Sequence, residues 1–198
     1  YTKELKGLSE KENMPFNQSH VPFVFNWKNP NEFEERFMPL NIRGLTVSGM
    51  LGVKTAIVHP YHYGEYFGHE EEIFELNMKF YRELLPYAKE YGVKIAIENM
   101  WRNEPKRKYI CPSACGTAKD LARYIDTLDD DTFVACLDLG HCGLVGEEAQ
   151  DAIRILGHDR LGALHVHDVD YVHDLHTLPG SAKINWDAVC RALADIDY

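Results

Sequence analysis

The apolar stretch VKIAIE, at residues 93–98, ends in Glu98 and sets a pattern for the whole chain. A short apolar run beside a side chain that can bind a metal recurs in SHVPFVF (19–25, with His20), KTAIVH (54–59, with His59), FVACLD (133–138, with Asp138) and GALH (162–165, with His165). From each of these polar residues to the next, the chain advances 39, 39, 40 and 27 residues. Such steps suit one strand and one crossover helix, repeated, because parallel strands need a connection of that length.

The apolar runs are nearly continuous, which indicates strands of a parallel sheet buried on both faces. Helices are predicted between and around them, at residues 2–12, 31–51, 70–91, 117–128, 147–157 and from 185 onward. In the clearest of these helices Pro86 predicts a kink and Gly92 predicts the end. A long polar loop is predicted for residues 100–116.

This alternation predicts an α/β fold of the TIM (β/α)8 barrel type, in which all strand ends open onto one face. An open doubly wound sheet is the alternative, but the glycine-rich phosphate loop usual after its first strand is missing. Five βα units do not close an eight-stranded barrel, which typically needs about 250 residues. We therefore expect residues 1–198 to form a single, incomplete barrel domain that lacks the first strand and the last two.

The composition is that of an ordinary globular domain, with 45% hydrophobic and 26% charged residues. No apolar segment reaches the roughly 18 residues of a membrane span, and the polar N-terminus lacks the apolar core of a secretory signal, so a cytoplasmic location is predicted. The net charge of −10 argues against nucleic acid as a partner, because only KRK at 106–108 resembles a basic cluster. The five cysteines predict no disulfide framework, although Cys111 and Cys115 could be half of a zinc site.

Five short motifs follow one another in a fixed order: HP at 59–60, IEN at 97–99, DLGH at 138–141, HVHD at 165–168 and DLHTLPG at 174–180. With their βα spacing, they resemble the xylose isomerase-like TIM-barrel superfamily. That superfamily includes sugar isomerases and epimerases, inosose dehydratases and zinc-dependent apurinic endonucleases. The resemblance covers nearly the whole chain and implies a metal-dependent enzyme.

By this resemblance, Glu98, Asp138 and His165 are three of the four ligands of a common metal ion. The fourth is a glutamate on the strand that follows the last predicted helix, and this chain ends before that strand. Two carboxylates and an imidazole suit Mn²⁺, Zn²⁺, Co²⁺ or Mg²⁺. A structural ion pair is the alternative for a strand-end glutamate, but burying Glu98 without a cation would be costly.

Other candidate residues carry more than one interpretation each. His141 either contacts a substrate hydroxyl, binds a further metal or is held by hydrogen bonds. The resemblance implies additional metal or substrate positions, with ordinary loop hydrogen bonding as the alternative, for His20, His59, Asp174 and His176. His167 is expected to face away from His165 and to be structural, and Asp168 to orient a ligand or cap the following loop.

Three further groups are candidate substrate contacts. Trp101 could stack on a sugar, although a packing role is equally consistent with the sequence. Arg102, with Lys106 and Arg107, could hold a phosphate. Tyr61 belongs to a run, Tyr61-His62-Tyr63, that offers hydroxyls and stacking surfaces.

These features predict a divalent-metal-dependent isomerase or epimerase that acts on a sugar or sugar phosphate through an enediolate, with Glu98 as the base and His141 as a second catalytic group. The first alternative is an apurinic-endonuclease-like zinc phosphodiesterase, and the second is a non-catalytic sugar-binding barrel. The expected partner is a small sugar, with neither nucleic acid nor membrane. Because an incomplete barrel leaves strand edges unpaired, a homo-oligomer is also expected.

Overall fold

The computed structural model describes residues 1–23, 32–61 and 66–198. The strands are β1 (Gln18–His20), β2 (Thr55–Val58), β3 (Lys94–Glu98), β4 (Trp101–Asn103), β5 (Ile110–Pro112), β6 (Phe133–Asp138) and β7 (Leu161–His165). The helices are α1 (Thr2–Lys11), α2 (Met38–Leu51), α3 (Glu70–Tyr91), α4 (Ala118–Leu128), α5 (Leu139–Leu144), α6 (Ala149–Arg160) and α7 (Trp186–Asp195). A π-helical turn, Phe33–Phe37, leads directly into α2.

The main sheet has five strands in the order β1-β2-β3-β6-β7, and every neighbouring pair is parallel. The sheet is strongly curled, so that its two edge strands approach each other. The Gln18 side chain of β1 donates a hydrogen bond to the Leu164 carbonyl of β7, 3.3 Å away. Helices pack against its outer face. This is an incomplete TIM barrel, and the fold class predicted from the sequence is confirmed.

Two apolar layers follow from the alternation of side chains along each strand. Outward-facing residues such as Val58, Ile95 and Leu137 join the large core beneath the helices. Inward-facing residues form a small separate cluster of Ile57, Ala96, Val134, Cys136 and Ala163. Residues two positions further along the same strands share this inward face. They are His59, Glu98, Asp138 and His165, so the predicted site lies at the carboxyl ends of the strands, directly above the inner cluster.

Three elements differ in detail from the sequence predictions. The predicted polar loop at 100–116 contains the antiparallel pair β4–β5, in which Trp101 is opposite Pro112. The helix α5 begins at once after β6, because the Asp138 carboxylate accepts a hydrogen bond from the His141 amide and caps it. The helix α3 runs without a break through Pro86 and ends as predicted at Gly92, whose φ is 62°.

None of the helices in the described ranges combines the length and the apolar character needed to cross a membrane.

Candidate metal centre

Glu98, Asp138 and His165 meet at the carboxyl ends of three adjacent strands. Nδ1 of His165 lies 3.0 Å from Oε1 of Glu98 and 3.5 Å from Oδ2 of Asp138. Both carboxylates are buried, at 2% and 0% exposure, whereas the imidazole is partly open to the cavity above. The structure therefore brings together the three residues that the sequence analysis selected as ligands.

Asn99 holds two members of the site in place and was not assigned a role from the sequence. Its Oδ1 accepts a hydrogen bond from the Asp138 amide at 2.6 Å, and its Nδ2 donates to the Asp138 carbonyl at 3.1 Å. Its own carbonyl lies 2.8 Å from Nδ1 of His141. Asn99 is 1% exposed and follows Glu98 directly in the IEN motif, which was the available signal.

His20 and His59 converge on the other oxygen of Glu98. Nε2 of His59 lies 2.9 Å from Oε2 of Glu98, and Nε2 of His20 lies 3.4 Å from it. The two Nε2 atoms are 3.0 Å apart. The glutamate Oε2 is buried, yet none of these contacts has hydrogen-bond geometry to it. The two imidazole nitrogens and this unsatisfied carboxylate oxygen lie close enough together for a bound cation to satisfy all three.

A third group of donors lies beside this pair and contains His141, Asp174 and His176. Nε2 of His176 is 3.0 Å from Oδ1 of Asp174, and Nε2 of His141 is 3.8 Å from Oδ2 of the same carboxylate. If Nδ1 of His141 donates its proton to the Asn99 carbonyl, Nε2 is the ring nitrogen that faces Asp174 and that can bind a metal once it has lost its proton.

The expectation that His167 faces away from His165 is wrong. Residues two positions apart share a face of a strand, and Nε2 of His167 lies 2.8 Å and 3.0 Å from the two carboxylate oxygens of Asp138. The ring of His176 stacks on that of His167, with centroids 4.0 Å apart. His167 thus supports Asp138 from the side of the last loop.

Asp168 anchors the loop between β7 and α7, as the capping interpretation predicted. It is fully buried. Its carboxylate accepts hydrogen bonds from the amides of Val169, Gly180, Ala182 and Ile184 and from the indole of Trp186. Burial alone would raise the pKa of Asp168, but these donors outweigh it and hold the pKa below its ordinary value.

Protonation couples the carboxylates to the histidines. Burial would raise the pKa of Glu98, but the hydrogen bond from His165 and the close imidazoles of His20 and His59 hold it far below its ordinary value. Burial lowers the pKa of His141, yet Asp174, Asp138 and Glu98 together raise it to about 9. In the metal-free chain, protons on His141 and His165, whose pKa values are both raised, thus offset the charge of the buried carboxylates. A cation would supply the same positive charge.

A cavity of about 640 Å³ opens above these donors, within the range of small-molecule sites. Its lining includes Trp101 and Arg102, two of the predicted substrate contacts. Tyr61 is not brought there: it is 3% exposed, and its ring packs on Phe33 and Phe37 in the outer core. The neighbouring residues 62 and 63 lie outside the described ranges.

The donor set fits a divalent cation. Glu98, Asp138 and His165 would hold the ion predicted from the resemblance, in a mixed oxygen and nitrogen environment. His20 and His59 with Glu98, and separately His141 with Asp174 and His176, offer two further sets of three donors whose atoms lie within 4.8 Å of one another.

The sequence model of the xylose isomerase-like TIM-barrel family matches residues 1–198 of this chain. The chain belongs to that family. Among curated sequences, it is 27% identical over 205 aligned residues to an uncharacterised protein of Methanocaldococcus jannaschii. The match covers 100% of this chain and 65% of that relative, so the chain spans slightly less than two thirds of the relative's length.

Solved structures of the same architecture superpose on the whole chain or nearly so. A D-tagatose 3-epimerase-like protein gives a TM-score of 0.81 at 23% identity, covering 100% of this chain and 72% of its own. An L-ribulose 3-epimerase gives 0.78 at 16% identity, covering 100% and 64%. The IolI protein, solved with a bound zinc atom, gives 0.72 at 22% identity, covering 97% and 68%. At these identities the likeness establishes the barrel fold.

Proposed function

We propose that this chain carries the metal-binding part of a divalent-metal-dependent isomerase or epimerase that acts on a sugar or sugar phosphate. The observation that carries the proposal is that Nδ1 of His165 lies 3.0 Å from the Glu98 carboxylate and 3.5 Å from the Asp138 carboxylate at the strand ends, beneath an open cavity. Sugar epimerases among the structural neighbours support the substrate class, and the zinc in the IolI protein supports the cofactor class.

When bound, a divalent cation of the Mn, Zn, Co or Mg type supplies Lewis acidity to a carbonyl oxygen. The chain's own groups supply the proton chemistry. The carboxylate of Glu98 would remove the proton on the carbon next to the carbonyl, giving an enediolate, and return it to the same or the neighbouring carbon. Its depressed pKa keeps this carboxylate ionised, which is the state in which a base must start.

His141 and Trp101 would orient the sugar. Nε2 of His141 is the imidazole nitrogen left free if Nδ1 is held by the Asn99 carbonyl, so it can contact a substrate hydroxyl. The indole of Trp101 lies edge to face with that imidazole, at a centroid distance of 6.4 Å, and offers an apolar face to the cavity.

The test combines metal content with proton exchange. The protein is loaded with Mn²⁺ and incubated with D-fructose in deuterium oxide, and NMR follows deuterium entering the carbon next to the carbonyl. Glu98→Gln should lose most of the bound metal, measured by elemental mass spectrometry, and should slow exchange by at least about 100-fold. Glu71→Gln, which alters an exposed glutamate paired with Arg123, should change neither. Exchange retained in Glu98→Gln would remove this residue from the role of base.

A zinc phosphodiesterase of the apurinic-endonuclease type is the second candidate, and one observation favours it. Besides the central three ligands, the site holds the two extra donor sets around His20–His59 and Asp174–His176. Two or three zinc ions per chain, together with salt-sensitive cleavage of an abasic-site oligonucleotide, would replace the epimerase proposal. Sugar binding with neither exchange nor cleavage would instead support a non-catalytic barrel.

A further inference from the structure

Arg102 stands out among the arginines of the described ranges. It lies on β4, four residues after Glu98, and lines the same cavity. Its guanidinium sits 5.4 Å from the ring centroids of both Tyr66 and Phe67. These contacts use ring faces, and they do not satisfy the N–H groups that project in the guanidinium plane.

Two of the three guanidinium nitrogens of Arg102 are buried without a hydrogen-bond partner, although the side chain as a whole is partly exposed. Nε and Nη1 are both buried and make no hydrogen bond, and no described carboxylate lies within 4.0 Å of the guanidinium. By contrast, Arg123, Arg154 and Arg160 each donate to a carboxylate on the protein surface. A buried donor that carries charge and lacks an acceptor is costly, so the site suits an anion supplied from outside the chain.

Arg102 differs in charge from the acidic residues that line the cavity with it. Among its lining residues within the described ranges, Arg102 is the sole lysine or arginine, and the others include Glu98 and Asp174. One wall therefore offers carboxylates and imidazoles, which suit a cation and sugar hydroxyls. The guanidinium offers a planar pair of donors, which matches the geometry of a phosphate or a carboxylate.

The other basic residues of this segment do not reach the cavity. Lys106 and Arg107 are exposed in the turn between β4 and β5 and are not part of the cavity lining. The turn is organised by Glu104, whose carboxylate accepts hydrogen bonds from the amides of Lys106 and Arg107. The phosphate-binding trio considered from the sequence thus separates into one cavity residue and two surface residues.

We propose that Arg102 determines substrate specificity by binding an anionic group, a phosphate or a carboxylate, on the sugar that enters this cavity. The inference rests on the proposed function for the nature of the sugar, and it deepens that proposal. The substrate class becomes an anionic ketose rather than a neutral one.

The experiment compares three ketoses that share the reacting end and differ at carbon 6: D-fructose, D-fructose 6-phosphate and D-fructuronate. Calorimetric titration of the Mn²⁺-loaded protein measures the affinity for each. The wild type is expected to bind at least one of the two anionic ketoses about ten times more tightly than D-fructose, and the better of the two identifies the anion.

Arg102→Gln should abolish this preference by lowering the affinity for the anionic ketose about ten-fold more than the affinity for D-fructose. Arg107→Gln, the matched control on the same hairpin, should keep the preference. If Arg102→Gln does not fold, Arg102→Lys serves instead: it keeps the charge without the planar fork and should lower the preference several-fold.

Two results would overturn the inference: a wild type that binds all three ketoses equally, or an Arg102→Gln variant that weakens all three alike, as a purely structural role would. Deuterium exchange is measured separately on the same samples. Exchange without an anion preference would leave the proposed function standing and remove this inference. An anion preference that depends on Arg102, without deuterium exchange, would support this inference and remove the proposed isomerase or epimerase activity.

Discussion

At the scale of single residues, the geometry of the metal centre depends on an uncharged side chain, that of Asn99. The side-chain amide of Asn99 forms hydrogen bonds with both the amide and the carbonyl of the Asp138 backbone, and the main-chain carbonyl of Asn99 contacts Nδ1 of His141. A buried amide with this geometry fixes the direction in which a carboxylate points, and metal affinity is sensitive to that direction. The sequence motif marked the neighbourhood, whereas the role of the asparagine is a property of its contacts.

Replacing Asn99 should therefore weaken metal binding as well as folding. We expect Asn99→Ala to lower Mn²⁺ affinity by about 10-fold or more and to cost about 1–3 kcal/mol of unfolding free energy. Asn77→Ala is the matched control, because Asn77 is equally buried and bonds the backbone of Tyr61 away from the site. The control should lose comparable stability and keep its metal affinity; an equal loss of affinity in both variants would contradict the positioning role.

At the scale of elements, glycines allow the short helix α5 to pack closely against the loop after β7, and Gly140 makes the approach nearest to the site. A Cβ at Gly140 would lie 2.1 Å from Cε1 of His167, and that ring is held between Asp138 and His176. The approach of α5 to the loop is possible only without a side chain at this position.

Gly140→Ala should push His167 away from Asp138. We expect a loss of about 1–3 kcal/mol in unfolding free energy, typical of overpacking, together with weaker Mn²⁺ binding. Gly7→Ala in the exposed helix α1 is the control, since no atom lies within 4 Å of the added carbon. It should raise stability by about 0.5–1 kcal/mol. Denaturant unfolding and metal titration of both variants measure these effects.

The buried carboxylate of Asp168, in the same loop, makes the stability of the fold depend on pH. Its pKa is depressed in the folded chain, so its contribution to stability is present above the unfolded value, about 3.9, and is lost as the pH falls through the folded value. Asp168→Asn should cost about 2–3 kcal/mol near pH 7, and its difference from the wild type should shrink as the pH drops below about 4. Asp187→Asn, at an aspartate that is 90% exposed in the first turn of α7, should show a much smaller loss. A pH-independent difference for Asp168→Asn would refute the linkage.

At the scale of the whole molecule, metal binding and folding are expected to be one equilibrium. The three ligands come from strands that are separated by up to 67 residues, and a cation would cross-link them only in the folded chain. Without the cation, two buried carboxylates rely on protonated histidines for compensation.

Mn²⁺ at 100 times its dissociation constant should stabilise the fold by about 2.7 kcal/mol. For a domain of this size, that corresponds to a rise of roughly 5–10 °C in Tm. Excess EDTA should reverse the rise in the wild type and should have no effect on Glu98→Gln, measured by differential scanning calorimetry. A Tm that changes with neither Mn²⁺ nor EDTA would show that this site does not hold a cation in the folded chain.

Much of the fold was predictable because its signals are local. An apolar run followed by a polar residue marks a strand end wherever it occurs, and Gly92 ends α3 through a backbone conformation that glycine favours. The polar segment at 100–116 was harder to interpret, because the pairing of β4 with β5 joins two three-residue strands that carry little pattern. The orientation expected for His167 was incorrect, because His165 and His167 are two positions apart and residues at that separation share a face.

The sequence by itself determined which residue types stand at the strand ends, and hence the barrel class and the candidate ligands Glu98, Asp138 and His165. Only the tertiary structure decided which atoms of these residues meet, that Tyr61 belongs to the core, and that Arg102 is enclosed without an acceptor. The physical reason is the range of the interactions. Strand and helix signals are encoded within a few neighbouring residues, whereas contacts between strands depend on register and sheet curvature, which the whole chain sets together.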